Sequence, residues 1–137
     1  MEVLIDTSFL VATLAPKDQN HAAAHKAQQN LKGRLIISAP VLYELFYMIA
    51  SRINYPEAIR IFKFISAAPF KIEVVTDADM IRMAEIMSQY QDAELDFADA
   101  SLMAISERLN ITTIYTFDRR DFGMFRPKHT DYLKLLP

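Results

Sequence analysis

Four acidic residues occupy positions from which their side chains could converge on one site. Asp6 ends the apolar run Val3-Leu4-Ile5, Glu44 interrupts an apolar helix, and Asp99 and Asp118 lie near the starts of later segments. Like charges about 4 Å apart repel by roughly 4 kcal/mol at an effective dielectric near 20, so converging carboxylates require a cation or raised pKa values. An oxygen-only site suits Mg²⁺ or Mn²⁺, which polarise a phosphoryl oxygen and activate water.

Each aspartate also has a purely structural explanation. Asp6 could simply cap a helix, because Asp is among the commonest N-cap residues. Asp96 with Asp99, and Asp118 with Asp121, have the three-residue spacing of capping boxes, and acidic side chains suit the positive end of a helix. Taken singly, the aspartates therefore do not distinguish capping from catalysis.

Glu44 is harder to explain structurally. An ionised carboxylate on a helix predicted to be buried must be paired, coordinated or protonated. A buried ion pair with Lys or Arg is the alternative to a site at this position. Tyr43, beside Glu44, could stack a nucleobase or pack into the core.

Composition limits the other possibilities. The chain has 137 residues, no cysteine and a formal charge of −2, which excludes thiol chemistry and disfavours binding of nucleic acid by bulk electrostatics. The nearly uncharged stretch from Leu35 to Ser51 carries Glu44 and is not a membrane span. Because Glu2 and Asp6 replace the basic start of a signal peptide, we expect a cytoplasmic protein.

Short apolar runs alternate with helical patterns along the whole chain. The runs predict strands at Val3–Ile5, Leu35–Ile37, Phe70–Val75, Ile111–Tyr115 and Tyr132–Leu136. Helix starts are predicted at Asp6-Thr7-Ser8 and after Thr116-Phe117-Asp118. Further helices are predicted over about Gln19–Lys32, Pro40–Arg52, Pro56–Ala67, Asp77–Tyr90 and Phe97–Leu109.

This alternation predicts an α/β fold, in which a central parallel sheet of four to five strands is covered by helices on both sides. Residues 1–137 are expected to form a single domain, since no linker or shift in composition interrupts them. The helix from Pro40 is apolar nearly all round and is predicted to be buried between layers. In such sheets the functional crevice lies beyond the carboxyl ends of the strands, where the four acids are placed.

Four segments, in this order, resemble the motifs of PIN domains, and most closely those of VapC-type toxins. They are Val3-Leu4-Ile5-Asp6-Thr7-Ser8, Tyr43-Glu44-Leu45, Leu95-Asp96-Phe97-Ala98-Asp99-Ala100-Ser101-Leu102 and Thr116-Phe117-Asp118-Arg119-Arg120-Asp121-Phe122. The resemblance covers essentially the whole chain. It implies a three-layer α/β/α domain, a Mg²⁺ or Mn²⁺ site, endoribonuclease activity on RNA, homodimerisation and inhibition by a cognate antitoxin.

The same resemblance assigns roles to individual residues. Asp6 and Asp99 resemble the principal metal ligands, and Glu44 and Asp118 complete the acidic quartet. The accessory positions of the motifs are Asp96, Asp121, Thr7, Ser8 and Thr116.

Basic residues that could contact the phosphate backbone follow the last motif. Arg119 and Arg120 are the first of them, and Arg126, Lys128 and His129 could extend the same rim of the cleft or be ordinary solvated charges.

Two other readings stay open. A PIN-like module could work through protein contacts with a structural or inactive acidic site. An aspartyl-phosphate enzyme would also place Asp after a first strand, but Asp6-Thr7-Ser8 lacks the second aspartate two positions on.

His21 and His25 are four residues apart, a spacing that could hold a metal on one helix face, but the intervening alanines supply no general base.

Overall fold

The computed structural model describes residues 1–137 and contains five β-strands and seven α-helices. The strands are β1 (Glu2–Ile5), β2 (Arg34–Ser38), β3 (Phe70–Glu73), β4 (Thr113–Tyr115) and β5 (Lys134–Leu136). The helices are α1 (Thr7–Leu14), α2 (His21–Gln29), α3 (Ala39–Arg52), α4 (Tyr55–Ala67), α5 (Asp77–Gln89), α6 (Phe97–Arg108) and α7 (Arg119–Met124). None of these helices is both long and apolar enough to cross a membrane.

The strands form one parallel sheet in the order β3-β2-β1-β4-β5. Val3, Leu4 and Ile5 of the central strand are all at most 1% exposed, although successive side chains point to opposite faces. Both faces of the sheet are therefore covered, and the predicted α/β fold class is confirmed.

The strand order reverses beside β1. From β1 the chain moves outward through β2 to β3, and it then returns to the other side of β1 to form β4 and β5. A crevice opens at such a reversal, beyond the carboxyl ends of the two adjacent strands. Here those strands are β1 and β4, which are followed by Asp6 and Thr116.

Polar side chains begin the helices that follow the strands. The Ser38 hydroxyl accepts a hydrogen bond from the Val41 N–H before α3, and Thr76 and Asp79 form a reciprocal capping box at α5. Such caps satisfy N–H groups that have no partner inside the helix. The positions predicted for these helix starts are correct to within one residue.

Strand ends differ from the sequence prediction by one or two residues. β3 stops at Glu73, the partner of the last residue of β2, so Val75 lies beyond the ladder. β4 starts at Thr113 because the Ile111 N–H instead bonds the Ser106 carbonyl at 2.8 Å, in the turn that ends α6. The predicted last strand is shortened in the same way and begins at Lys134.

The prediction that α3 is buried between layers is wrong for one of its faces. Val41, Leu45 and Ile49 form its buried stripe, whereas Tyr43 is 76% exposed and Tyr47 is 64% exposed. The polar hydroxyl of tyrosine allows such a ring to remain at a wet surface. One face of α3 is therefore aromatic and open.

Ion pairs attach α6 to α5 and β3. The Arg108 Nε lies 3.0 Å from Asp79 Oδ1, and its Nη2 lies 3.1 Å from Glu73 Oε1. The Arg82 Nε lies 2.6 Å from Glu107 Oε1. We call these five side chains the paired cluster; they hold α6, whose first turn carries Asp99.

Candidate active site

Asp6 ends β1 and is held by three hydrogen bonds. Its Oδ1 accepts from the Thr7 N–H at 2.8 Å, and its Oδ2 accepts from the hydroxyls of Ser8 and Thr116, each at 2.7 Å. Asp6 is only 3% exposed. Burial raises the pKa of Asp6, although these hydrogen bonds oppose the rise. Asp6 thus caps α1, as the structural explanation requires, and also ties β1 to β4.

The hydrogen bonds continue into the segment after β4. The Asp118 N–H donates to Thr116 Oγ1 at 2.9 Å, and the Phe117 N–H donates to Ser8 Oγ at 3.0 Å. Each hydroxyl donates to Asp6 and accepts from the backbone, so its orientation is determined. Ser8 and Thr116 therefore fix the path of the backbone that carries Asp118.

Asp96 and Asp118 cap α6 and α7. The Asp99 N–H donates to Asp96 Oδ1 at 2.8 Å, and the Asp121 N–H donates to Asp118 Oδ1 at 3.0 Å. A carboxylate has two oxygens with several lone pairs, so a cap leaves it able to bind another group. The two explanations of these residues are compatible.

Three aspartates come closest together. One carboxylate oxygen from each of Asp99, Asp118 and Asp121 lies within 4.8 Å of the other two. The buried Oδ1 of Asp121 has no hydrogen-bond partner. Asp121, which the motifs rank as accessory, is thus part of this group, and Asp6 is not, although among the neighbouring carboxylates Asp6 raises the pKa of Asp99 the most.

The electrostatics include the remaining acids. Burial raises the pKa of Asp99 to about 9, and the nearby carboxylates of Asp6, Asp96, Asp118 and Glu44 add to the rise. Burial and the charges of Asp96 and Asp6 also raise the pKa of Glu44. We call this set the acid cluster; its members are Asp6, Glu44, Asp96, Asp99, Asp118 and Asp121.

The acid cluster has almost no compensating cation. Its one ion pair joins Asp121 to Arg120 at 4.0 Å, and the Arg120 side chain is 83% exposed. None of the ion pairs involves Glu44, so the predicted alternative of a buried pair with Lys or Arg is wrong.

The donor chemistry fits a hard divalent cation. Every side-chain ligand available in the cluster is an oxygen, as Mg²⁺ and Mn²⁺ prefer. The buried Asp121 Oδ1 has no hydrogen-bond partner, and the nearest cation is the Arg120 Nε at 4.0 Å. A buried oxygen without a hydrogen bond is costly, and a bound cation or its water would satisfy it.

The expected basic rim is only partly present. Arg119 and Arg120 begin α7 beside Asp118, and the Arg119 guanidinium donates to the Pro137 carbonyl. The extension to Lys128 and His129 is wrong. The Lys128 N–H bonds Glu107 in the last turn of α6, and His129 bonds the Ile111 carbonyl before β4, at the opposite edge of the sheet. The Arg126 guanidinium donates hydrogen bonds to the Gly123 and Phe125 carbonyls at the end of α7.

Known proteins resemble this chain in sequence and in fold. The family model described as the PIN domain matches residues 3–125. Ribonuclease VapC26 of Mycobacterium tuberculosis (strain ATCC 25618 / H37Rv) is 29% identical over 125 residues, which are 91% of this chain and 93% of that protein.

Solved structures share the fold. That of Mycobacterium tuberculosis VapC20, described as a Sarcin-Ricin loop cleaving toxin, superposes with a TM-score of 0.80 at 22% identity and covers 86% of this chain and 91% of its own. VapBC2 from Rickettsia felis, bound to a DNA fragment from its promoter, superposes with a TM-score of 0.72 at 16% identity, covering 98% and 97% of the two chains.

Proposed function

The chain belongs to the PIN-domain family, and we propose that it is a metal-dependent endoribonuclease acting as the toxin of a toxin–antitoxin pair. The observation that carries this proposal is the acid cluster, in which oxygens of three aspartates lie within 4.8 Å of one another. Relatives named as a ribonuclease and as a toxin that cleaves the Sarcin-Ricin loop support the substrate class.

Asp99, Asp118 and Asp121 would hold the cation, with Glu44 and Asp6 adding negative charge beside them. Bound Mg²⁺ or Mn²⁺ supplies a Lewis acid for a phosphoryl oxygen and makes water a better nucleophile. Asp99 is protonated at neutral pH in the metal-free protein, since its pKa is raised to about 9, so it must release that proton to act as a ligand.

The other polar residues position these carboxylates. Thr116 and Ser8 hold both Asp6 and the backbone before Asp118. Exposed Arg120, beside the cluster, is suited to contact an RNA phosphate next to the reacting one. The chain's own contribution is thus a fixed arrangement of oxygens with positive charge at its margin.

Cleavage of single-stranded RNA tests the nuclease. We expect cutting with Mg²⁺ or Mn²⁺, none in EDTA, and a large loss in Asp118→Asn, because the amide keeps the cap on α7 but loses the charge. Asp131→Asn is the matched control, since Asp131 is exposed and outside the cluster. Cleavage that persists in EDTA would contradict the mechanism. Absent cleavage by a folded wild type would favour the protein-interaction module instead.

A second experiment tests the toxin role. VapBC structures support an antitoxin partner, and we propose that the active toxin is a homodimer. Expression of the chain should arrest growth, and co-expression of a DNA-binding antitoxin encoded immediately upstream should restore it. Sedimentation of the purified chain measures the dimer. Normal growth on expression of active enzyme would exclude the toxin role.

A further inference from the structure

An open groove with aromatic walls adjoins the acid cluster. It has a volume of about 590 Å³ and runs between α3 and the first turn of α6, with Val75 beyond the end of β3. Three aromatic side chains line it: Tyr43 is 76% exposed, Tyr47 is 64% exposed and Phe97 is 49% exposed. None of these three rings is buried in the core.

The two tyrosines share one face of α3. They are four residues apart, a spacing that stacks side chains one above the other on a helix. Phe97 lies on the opposite wall, at the start of α6. The groove is thus flanked by aromatic surface on both sides.

The groove and the acid cluster share residues. Glu44, next to Tyr43, and Asp96, next to Phe97, line the groove, and both carboxylates help to raise the pKa of Asp99. A molecule in the groove therefore lies directly beside the proposed cation site.

No lysine or arginine lines the groove. A phosphate group would find two carboxylates there and no positive partner, so the groove does not suit the RNA backbone. A nucleobase is uncharged and has an aromatic face, and stacking of bases on aromatic side chains tolerates any base.

We propose that this groove binds the nucleobases adjacent to the scissile phosphate of single-stranded RNA, with Tyr43, Tyr47 and Phe97 as stacking surfaces. The inference rests on the proposed function and adds to it a binding site for the substrate's bases. The groove volume falls within the range of pockets for small organic ligands, roughly 300 to 1,000 Å³.

A second copy of the chain is the main alternative occupant. A stable dimer buries about 800 Å² on each partner. The three partly exposed aromatic side chains, at about 150 to 250 Å² each when whole, supply roughly half of that area, so a second copy would also have to cover neighbouring apolar side chains such as Val74 and Phe62.

The test pairs a protein variant with an altered substrate. The cleavage site of wild type on single-stranded RNA is mapped first, and abasic nucleotides are then placed in turn on each side of it. At one of these positions the abasic substrate should raise the KM of wild type about ten-fold. Tyr43→Ala should raise the KM for normal RNA by a similar factor, and Tyr43→Phe should restore it, because the ring and not the hydroxyl stacks.

The decisive result is the combination. If Tyr43 stacks the missing base, the KM of Tyr43→Ala for the abasic substrate should be little higher than the KM with either change alone. If the two changes act independently, their factors in KM would multiply. Tyr132→Ala is the control, since Tyr132 is 66% exposed and does not line the groove; its KM should match wild type.

Three outcomes would overturn the inference. A wild type that cuts no RNA in Mg²⁺ or Mn²⁺ would overturn it together with the proposed function. A wild type that cuts RNA, but whose abasic and Tyr43→Ala losses multiply at every position, would overturn the groove alone. A Tyr43→Ala protein that sediments at half the mass of wild type would assign the groove to a second copy.

Discussion

Two groups of carboxylates lie at opposite ends of α6, and only one of them is paired with arginines. At the last turn, Arg108 donates to Asp79 and Glu73, and Glu107 accepts from Arg82. At the first turn, Asp99 faces further acids with only the exposed Arg120 nearby. The fold can therefore supply arginine partners to buried acids, but it does not do so in the acid cluster.

The pKa values record this difference. Burial would raise the pKa of Asp79, but its hydrogen bonds and the charge of Arg108 outweigh burial and lower it. The pKa of Glu107 is likewise lowered, mainly by Arg82 against its burial. In the acid cluster, burial and like charges act together and the pKa of Asp99 rises to about 9.

The comparison separates carboxylates that hold the fold from carboxylates that we propose bind a cation. Like-charged carboxylates without a cationic partner are destabilising, and in the metal-free acid cluster this cost raises the pKa of Asp99. Their arrangement lowers stability and makes a cation the natural partner. Substitutions in the two clusters should consequently have opposite effects.

The largest effect should come from Asp99→Asn. We expect RNA cleavage to fall about 100- to 1,000-fold, the range seen when one preorganised electrostatic group is removed. The melting temperature in EDTA should nevertheless rise, because the amide removes a buried carboxyl group surrounded by like charges. Activity and thermal unfolding are measured on the same preparation. A protein with a lower melting temperature would show that Asp99 stabilises the fold.

Arg108→Ala should do the reverse. It leaves Asp79, which is 3% exposed, without its ion-pair partner and Glu73 with only Lys71 at 3.0 Å, at about 2 to 4 kcal/mol of unfolding free energy. Denaturant unfolding measures the loss, and kcat of the remaining folded protein should match wild type. Arg60→Ala is the matched control, because Arg60 pairs with Glu57 at the exposed surface and its loss should be much smaller.

The metal-free protein should become less stable as the pH rises. Between pH 3.8 and about 9, folded Asp99 keeps a proton that the unfolded chain has lost. The contribution of this proton to the free energy of unfolding is therefore complete below pH 3.8 and is lost as the pH rises towards 9. The slope for one proton is at most about 1.4 kcal/mol per pH unit. Melting in EDTA from pH 6 to 8 tests it, and Asp99→Asn should show a flatter profile.

The paired cluster should affect stability in a different pH range. Because the pKa of Asp79 is lowered, its contribution is present above its ordinary pKa and is lost as the pH falls through the folded value. Destabilisation above pH 6 that persisted in Asp99→Asn would place its origin in groups other than Asp99.

The smallest expected effect is stabilisation by the cation itself. Mg²⁺ at ten times its dissociation constant should stabilise the folded protein by about 1.4 kcal/mol. The increase in melting temperature should disappear in Asp118→Asn and persist in Arg120→Ala, since we propose Arg120 as a phosphate contact and not as a metal ligand. An equal increase in Asp118→Asn would place Mg²⁺ binding elsewhere.

Much of the fold was predictable because it rests on local signals. Short runs such as Val3-Leu4-Ile5 and caps such as Thr76 determine where strands and helices start. The ends of strands were harder to predict from the sequence, because the end of β3 depends on its pairing with β2. The sequence left open whether Tyr43 stacks a base or packs into the core, since periodicity does not tell an exposed aromatic residue from a core one.

The acid cluster was predictable as a set of residues, but its internal order was not. Spacing placed Asp118 and Asp121 on one helical turn, yet only the fold brings Asp99 against them. The same limit affected Lys128 and His129, which are close to the cluster in sequence but are held at the opposite edge of the sheet. Which positions serve as metal ligands stays a prediction that the variants above address.

The hydrogen bonds from Ser8 and Thr116 to Asp6 have a consequence for biosynthesis. The bond from Thr116 joins residues 110 positions apart, so a nascent chain translated only as far as residue 115 contains Asp6, Glu44 and Asp99 but neither Asp118 nor Asp121. A nascent chain of that length has no complete acid cluster. Under the proposed function, the cation site is therefore assembled only after the segment that follows β4 has been translated and β4 has been inserted beside β1.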